Sequence, residues 1–259
     1  MAPPNVTIEL IQKPTGRLTT LALRQHSHSS DHALEPLAEE AVQLFASLVV
    51  GDPCMMALTG GDWSILPDLG RVLVYSLSSC PGVSHMFTAR DETGALVGFT
   101  LFSLPGEPIL PTQEKGRVSA YISKLSPEGR QYFAETMGKE VPQSSDEMFG
   151  IEGAERNAYW CSLAMVRADY QGRGVAKAMF ELAYKEAAKT GAAVALTTTN
   201  IRNVPIYEKI GLKLYGERTF SSQWVEWTLG YFARDWGTGS HNVNIVNEGS
   251  QCTSTIMSH

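Results

Sequence analysis

Residues 169–180 read DYQGRGVAKAMF, so that Gly172 and Gly174 flank Arg173, with Lys177 three residues further on. Glycines let a backbone approach a ligand closely, and unpaired amides at the start of a helix attract an anion. The chemistry on offer is therefore phosphate binding. Two common phosphate loops fail on their residues. No stretch carries G-x-x-x-x-G-K-[ST], and a dinucleotide fingerprint would need glycine where Lys177 stands. The acidic residue that such a fingerprint places at the end of the next strand is also missing, because Thr197-Thr198-Thr199 occupies it.

The surrounding pattern says what must position this turn. Ala158–Val166, aromatic and aliphatic, predicts a strand ahead of it. Val175, Ala176, Met179, Phe180, Ala183 and Ala187 repeat at helical spacing behind it, and Gly191 supplies a left-handed stop. Ala192–Thr199 predicts a second strand, which makes the whole a βαβ unit with two parallel strands. A short helix follows, with Asn203 as its cap, Pro205 in its first turn and Gly211 at its end. Residues 212–220 and 223–234 then alternate as two antiparallel strands, with Val225, Trp227, Leu229 and Tyr231 on one face of the last.

Upstream, Val6–Gln12 and Leu18–Arg24 are β-prone. Leu34, Leu37, Ala38, Ala41, Leu44, Phe45 and Leu48 form one helical face, capped by Ser29, Ser30 or Asp31. A second helix is expected over Trp63–Tyr75 with Pro67 in its first turn. His85–Ala89 and Leu96–Leu104 form a hairpin across Asp91-Glu92-Thr93-Gly94. Pro105–Asn157 is mixed and rich in Pro, Gly and Ser, with one helix that starts at the Ser126 cap with Pro127 first and runs to about Met137. Residues 237–259 are polar and small and read as a flexible tail after a single domain over 1–236.

With these elements in place, Gln171-Gly172-Arg173-Gly174-Val175-Ala176 resembles the acyl-CoA motif [QR]-x-x-G-x-[GA] of the GNAT superfamily of N-acetyltransferases. The family's next motif, Asn followed by six residues and Tyr-Glu-Lys-x-Gly-Phe, is matched from Asn200 through Tyr207-Glu208-Lys209-Ile210-Gly211 to Leu212. Asn203, Pro205 and Leu212 depart from the usual residues. The resemblance is close over about 158–220 and architectural over 30–104.

It implies an α/β (α+β) fold, with a mixed central sheet of six to seven strands flanked by helices. The segment 105–157 would be a long insertion between the third and fourth strands, where the family has a tight hairpin. The fourth strand would splay from the fifth, with the pantetheine arm of acetyl-CoA in the gap. By motif position, Ala164, Met165 and Val166 would offer backbone hydrogen bonds to that arm. Gln171, Gly172, Arg173, Gly174, Val175, Ala176 and Lys177 would hold the pyrophosphate. Asn200 would bond the pantetheine, and Tyr207 would protonate the departing thiolate. A phenol is in the right form for that at neutral pH.

The resemblance also implies direct attack by a primary amine on acetyl-CoA in a ternary complex, with no metal. The expected acceptor is a small-molecule amine. A protein acetyltransferase acting on lysines or N-termini, and a module that binds acyl-CoA without transferring it, are the alternatives. The general base stays unassigned, because the fifth strand has no carboxylate and Glu152, Glu155 and Glu226 read as solvated side chains. The long insertion is expected to cover the acceptor site and to help set specificity.

Composition narrows the rest. Hydrophobic residues make up 43% of the chain, and no apolar run is long enough to span a bilayer. A net charge of −6 without a long basic run argues against sequence-independent nucleic-acid binding. Cys54, Cys80, Cys161 and Cys252 are scattered and read as reduced thiols, which suits the cytoplasm. Cys161 reads as a small buried hydrophobe, not a nucleophile. His26, His28 and His32 read as a solvated loop. A monomer or homodimer with no nucleic-acid or membrane partner is expected.

Overall fold

The computed structural model describes residues 5–11, 27–78, 82–107 and 115–236, without the side chains of 27–34 and 76–78. The β-prone stretch 18–24, His26 and the 237–259 tail lie outside the described residues. The chain opens with strand β1 (Val6–Ile11), then helices α1 (Ser27–Leu48), α2 (Pro53–Leu58) and α3 (Leu66–Ser78). Helix α1 begins ahead of Ser29, Ser30 and Asp31, so those residues lie inside it and His28 and His32 are helical. Pro67 sits in the first turn of α3, where no amide partner is lost.

The expected hairpin is β2 (Ser84–Asp91) and β3 (Leu96–Ser103), and Asp91 Oδ1 closes its turn by accepting from the amides of Thr93 and Ala95. The insertion after β3 differs from expectation. Instead of one helix in mixed chain, it holds α4 (Lys115–Lys124), α5 (Pro127–Tyr132), a π-helical stretch (Phe133–Glu140), α6 (Val141–Phe149) and the short α7 (Ala154–Asn157). Ser126 caps α5 as expected, accepting from the Gly129 amide at 3.1 Å. The apolar residues Tyr121, Leu125, Val141 and Phe149 are spaced for burial, and all four are buried in the same cluster as α1 to α3. Packing against the sheet turns a polar-looking segment into a helical layer.

The second half follows the βαβ pattern: β4 (Tyr159–Val166), α8 (Val175–Thr190), β5 (Val194–Thr198), α9 (Val204–Lys209), β6 (Lys213–Ser221) and β7 (Glu226–Arg234). The seven strands run in the order β1-β2-β3-β4-β5-β7-β6. Only β4 and β5 are parallel; every other neighbouring pair is antiparallel.

Helices cover both faces of the sheet. On one side α8 and α9 bury Val175, Met179, Phe180, Ala183 and Tyr207 against Phe87, Phe102, Leu196 and Phe232. Burial of each of the larger aliphatic and phenyl side chains among them, such as Val175, Met179 and Phe180, contributes about 1.5–3 kcal/mol. On the other side α1 to α7 bury Phe45, Leu58, Leu69 and Tyr121 against Phe99, Leu101, Trp160, Leu229 and Tyr231. Gly98 sets the height of α8 over the strands. A Cβ there would stand 3.0 Å from the Met165 carbonyl oxygen and 3.3 Å from Val175 Cγ1.

Candidate active site

The parallel pair β4 and β5 is in register only at Tyr159–Val194, Trp160–Ala195 and Cys161–Leu196. Beyond that point β4 runs on to Val166 beside β3, and β5 runs on to Thr198 beside β7. The two strands therefore split. A bulge marks the place: Phe102 of β3 pairs with Cys161 and Leu101 with Leu163, which leaves Ser162 over. Such a bulge bends the strand that carries it.

The backbone direction along the free edge of β4 follows from its pairing with β3. Arg167 N–H donates to Val97 O at 2.8 Å, and the pairs Phe99–Met165 and Leu101–Leu163 share that register. Residues in antiparallel strands alternate between facing their partner and facing away. Met165 therefore spends its amide and carbonyl on β3, while Ala164 and Val166 turn theirs to the split. Of the three positions expected to face a ligand, Ala164 and Val166 turn backbone groups to the split and Met165 does not. The Val166 carbonyl is already taken, accepting from Gln171 Nε2 at 2.9 Å. Gln171 thus braces the turn with its side chain.

The glycine turn begins where β4 ends. Gly172 and Gly174 have φ of +72° and +86°, in the left-handed region that favours glycine. Both are exposed, and a Cβ on either would meet nothing within 4 Å. The protein's own packing does not demand these glycines; what they provide is a bare, approachable backbone. Gly174 caps α8 without any side-chain hydrogen bond, and the first bond of the helix is Ala178 N–H to Gly174 O. The amides of Val175, Ala176 and Lys177 therefore have no acceptor in the helix. They add to the positive end of a 16-residue helix. Arg173 lies 5.2 Å over the Tyr170 ring, and Lys177 is exposed beside Glu181 at 3.9 Å. This cradle fits a pyrophosphate.

Below the split lies Tyr207. It is buried between Phe180 and Phe232, with ring centroids at 6.2 and 5.3 Å. Its hydroxyl lies beside the Thr198 hydroxyl and within electrostatic reach of Cys161, so it belongs to the apex where the strands part. Burial pushes the phenol well above its ordinary pKa, and the group stays protonated. Cys161 is likewise raised by burial, and its S–H donates to Leu163 O at 3.3 Å. It is an inert thiol.

Asn200 behaves differently from its neighbour Asn203. Asn200 Oδ1 accepts from Arg202 N–H at 3.1 Å and so caps the 3-10 turn Ile201–Asn203. Asn203 was expected to cap α9, but it makes no side-chain cap bond and donates instead to Thr198 Oγ1 at 3.3 Å. The 3-10 turn runs straight into α9, which leaves Asn203 in helical backbone geometry and unable to cap.

The carboxylates set aside as solvated divide. Glu226 is exposed and accepts from Ser221, and Glu152 lies exposed in a turn. Glu155 is not solvated: burial raises its pKa, and Ser145 donates to its Oε1 at 2.7 Å.

Two residues absent from the sequence reading complete the rim. Asp52 caps α2 with Oδ1, while its Oδ2 accepts from the Thr199 hydroxyl at 2.6 Å. Trp224, in the turn between β6 and β7, lies against Gly60 and Gly61 and edge-on to Tyr132 of the insertion at 5.9 Å. Tyr132 in turn accepts from Trp227 Nε1 at 2.6 Å. Asp followed by Pro is a helix-start signal and was legible. The contacts across 147 residues to Thr199, or from α5 to the β6–β7 turn, were not.

Comparison with known proteins follows this geometry. Residues 114–229 match the model of the acetyltransferase (GNAT) domain. Over that stretch the chain matches an acetyltransferase domain of the GNAT superfamily, and its seven-strand mixed sheet is the fold of that class. Among solved structures, it is similar to arylalkylamine N-acetyltransferase 2 from Aedes aegypti at 13% identity and a TM-score of 0.53, over 89% of this chain and 98% of that one. It also matches an acetyltransferase from Corynebacterium glutamicum described as histone acetyltransferase HPA2 and related, at 16% identity and a TM-score of 0.49, over 76% and 91%. A third match is nourseothricin acetyltransferase, at 18% identity and a TM-score of 0.36, over 59% of this chain and 65% of that protein's length. No curated protein sequence matches the chain. Among the described residues no helix is long and apolar enough to cross a membrane.

Proposed function

We propose that the protein transfers the acetyl group of acetyl-CoA to the primary amine of a small molecule, by direct attack in a ternary complex. The observation that carries this reading is the split between β4 and β5 after Cys161 and Leu196, with the glycine cradle at its open end. Acetyl-CoA supplies the activated acyl carbon. The amides from Gly172 to Lys177 hold its pyrophosphate, with Arg173 and Lys177 adding charge. Ala164 and Val166 present backbone groups to the pantetheine, and Asn200 stands across the gap from them.

The amine's lone pair forms the carbon–nitrogen bond as the carbonyl π electrons move to oxygen, and the carbon–sulfur bond breaks as the carbonyl re-forms. An amide at the edge of β4, that of Ala164, faces the oxygen on which negative charge builds; one such donor contributes roughly 3 kcal/mol. Tyr207 gives its proton to the departing sulfur. A small acceptor is favoured because helices α4 to α7 roof the sheet face on which α1 to α3 also pack. The reduced, buried thiols Cys54 and Cys161 suit a cytoplasmic protein.

Thiol release from acetyl-CoA against a panel of small amines and of peptides tests this. Turnover with small amines supports the reading. Turnover confined to peptides would replace it with protein acetylation, and acetyl-CoA binding without turnover on any acceptor would leave a binding module.

A further inference from the structure

Asp52 stands at the rim of the same split, and its surroundings differ from those of Glu39, Glu40 and Asp68 in the helices packed beside it. Glu39 pairs with Arg71 at 2.8 Å, Glu40 with Arg90 at 2.9 Å and Asp68 with Lys124 at 2.7 Å. Among the described residues no cation pairs with Asp52. Its hydrogen bonds come from neutral donors: the amides of Cys54 and Met55 at 2.9 and 3.2 Å, and the Thr199 hydroxyl at 2.6 Å. A helix cap needs only one carboxylate oxygen, and a serine would serve it as well. The second oxygen is fixed by a residue just past the end of β5, the strand that parts from β4.

Position agrees with charge. Side chains alternate along a strand, and Ala195 of β5 belongs to the cluster under α1 to α3, whereas Leu196 belongs to the cluster under α8. Thr198 lies on the α8 side beside Tyr207, so Thr199 falls on the opposite face with Asp52. An incoming amine and the group that protonates sulfur would thus approach the split from opposite faces of the sheet. The two groups can then act without crowding, one on the amine as it adds to the thioester carbonyl and the other on the sulfur as it leaves.

Building on the acetyltransferase reading above, we infer that Asp52 receives the acceptor's ammonium group and takes the protons its nitrogen loses. The ammonium gives one proton to the Asp52 carboxylate, the freed lone pair adds to the acyl carbon, and the carbon–sulfur bond breaks as the carbonyl re-forms. The second proton leaves nitrogen by the same route once Asp52 has released the first to water. Sulfur takes its proton from Tyr207, which is reprotonated from solvent. Thr199 and the two α2 amides hold the carboxylate in place and are positioning groups.

Asp52→Asn separates charge from structure, because an amide keeps an oxygen for the α2 cap and a donor for the Thr199 oxygen. The expected result for an alkylamine at neutral pH is a loss of about 100-fold or more in kcat/KM, with the dissociation constant for acetyl-CoA within twofold of wild type. The loss should shrink as pH rises toward the amine's own pKa, where the free base forms unaided. It should also be small for an arylamine that is already neutral at pH 7. Asp52→Glu, which restores the charge, should recover part of the rate. An Asp52→Asn enzyme that keeps wild-type kinetics across the pH range would overturn the assignment, as would equal losses for alkylamine and arylamine. Wild-type protein that binds acetyl-CoA but acetylates no amine would overturn the parent reading, and this one with it.

Discussion

Cys161 and Leu196 are the last residues at which β4 and β5 face each other, and the Tyr207 ring shares their apolar cluster. One helix thus carries a phenol to the place where two parallel strands separate. Removing the hydroxyl alone should leave the ring between Phe180 and Phe232. Tyr207→Phe is expected to lower kcat by about 100-fold with acetyl-CoA affinity unchanged, as read by steady-state kinetics and calorimetric titration. The sign of the pH effect follows from burial. Because the phenol is pushed above its ordinary value of about 10, it keeps its proton through that pH, and loss of activity below pH 10 should not arise from Tyr207. An unchanged kcat in the phenylalanine variant would remove Tyr207 from the reaction.

The cradle makes a second claim on measurement. Gly174→Ala places a methyl group where the protein itself offers no contact within 4 Å, at a φ of +86°. A left-handed alanine costs about 1–2 kcal/mol, which should lower Tm by a few degrees. The larger effect should fall on the ligand. The KM for acetyl-CoA is expected to rise about tenfold or more, with kcat nearly kept, because the methyl occupies the space a pyrophosphate would fill. An unaltered KM would place the phosphate elsewhere.

Much of this site was legible because its parts lie close in the chain. Gln171 to Lys177 and Asn200 to Tyr207 are local patterns, and the strand and helix that bear them announce themselves by periodicity. The split itself was implied by resemblance alone. What stayed hidden depends on distant partners. Glu155 looks solvated until Ser145 and the packed helices of the insertion close over it, and Met165 looks available until the β3 register claims its backbone. The insertion read as irregular because its helices are short and joined by Pro and Gly. Their apolar residues gain meaning only against the sheet.

Glu155 provides a test of stability. Burial raises its folded pKa above the unfolded value, with nearby Asp146 acting in the same direction. A group shifted this way contributes stability below its unfolded pKa and loses it as pH rises through the folded value. At neutral pH the buried charge is a cost. Glu155→Gln keeps an oxygen for the Ser145 hydroxyl and should raise Tm by a few degrees at pH 7. The gain should vanish near pH 4, where the native carboxyl is protonated. A variant less stable than wild type at pH 7 would contradict this account.

Trp224 tests whether the insertion governs the acceptor. The β6–β7 turn that carries it is held by Ser222, whose Oγ accepts from the amides of Trp224 and Val225 at 3.2 and 3.0 Å. The turn lies at the end of the sheet where the split opens, because β7 runs past the last β5 pair, Thr198–Gly230, toward it. There the indole joins three elements: Gly60 and Gly61 after α2, Tyr132 of α5, and the turn itself. Trp224→Ala would part the roof from the rim without touching the cradle. The expected outcome is a roughly tenfold rise in KM for the amine and a broader acceptor range, with the KM for acetyl-CoA held within twofold. The indole is only partly buried, so the fold should survive with a small loss in Tm. Kinetics with a series of amines of increasing size distinguish the cases. If the KM for every acceptor stays at the wild-type value, the insertion is a structural layer and does not shape the acceptor site.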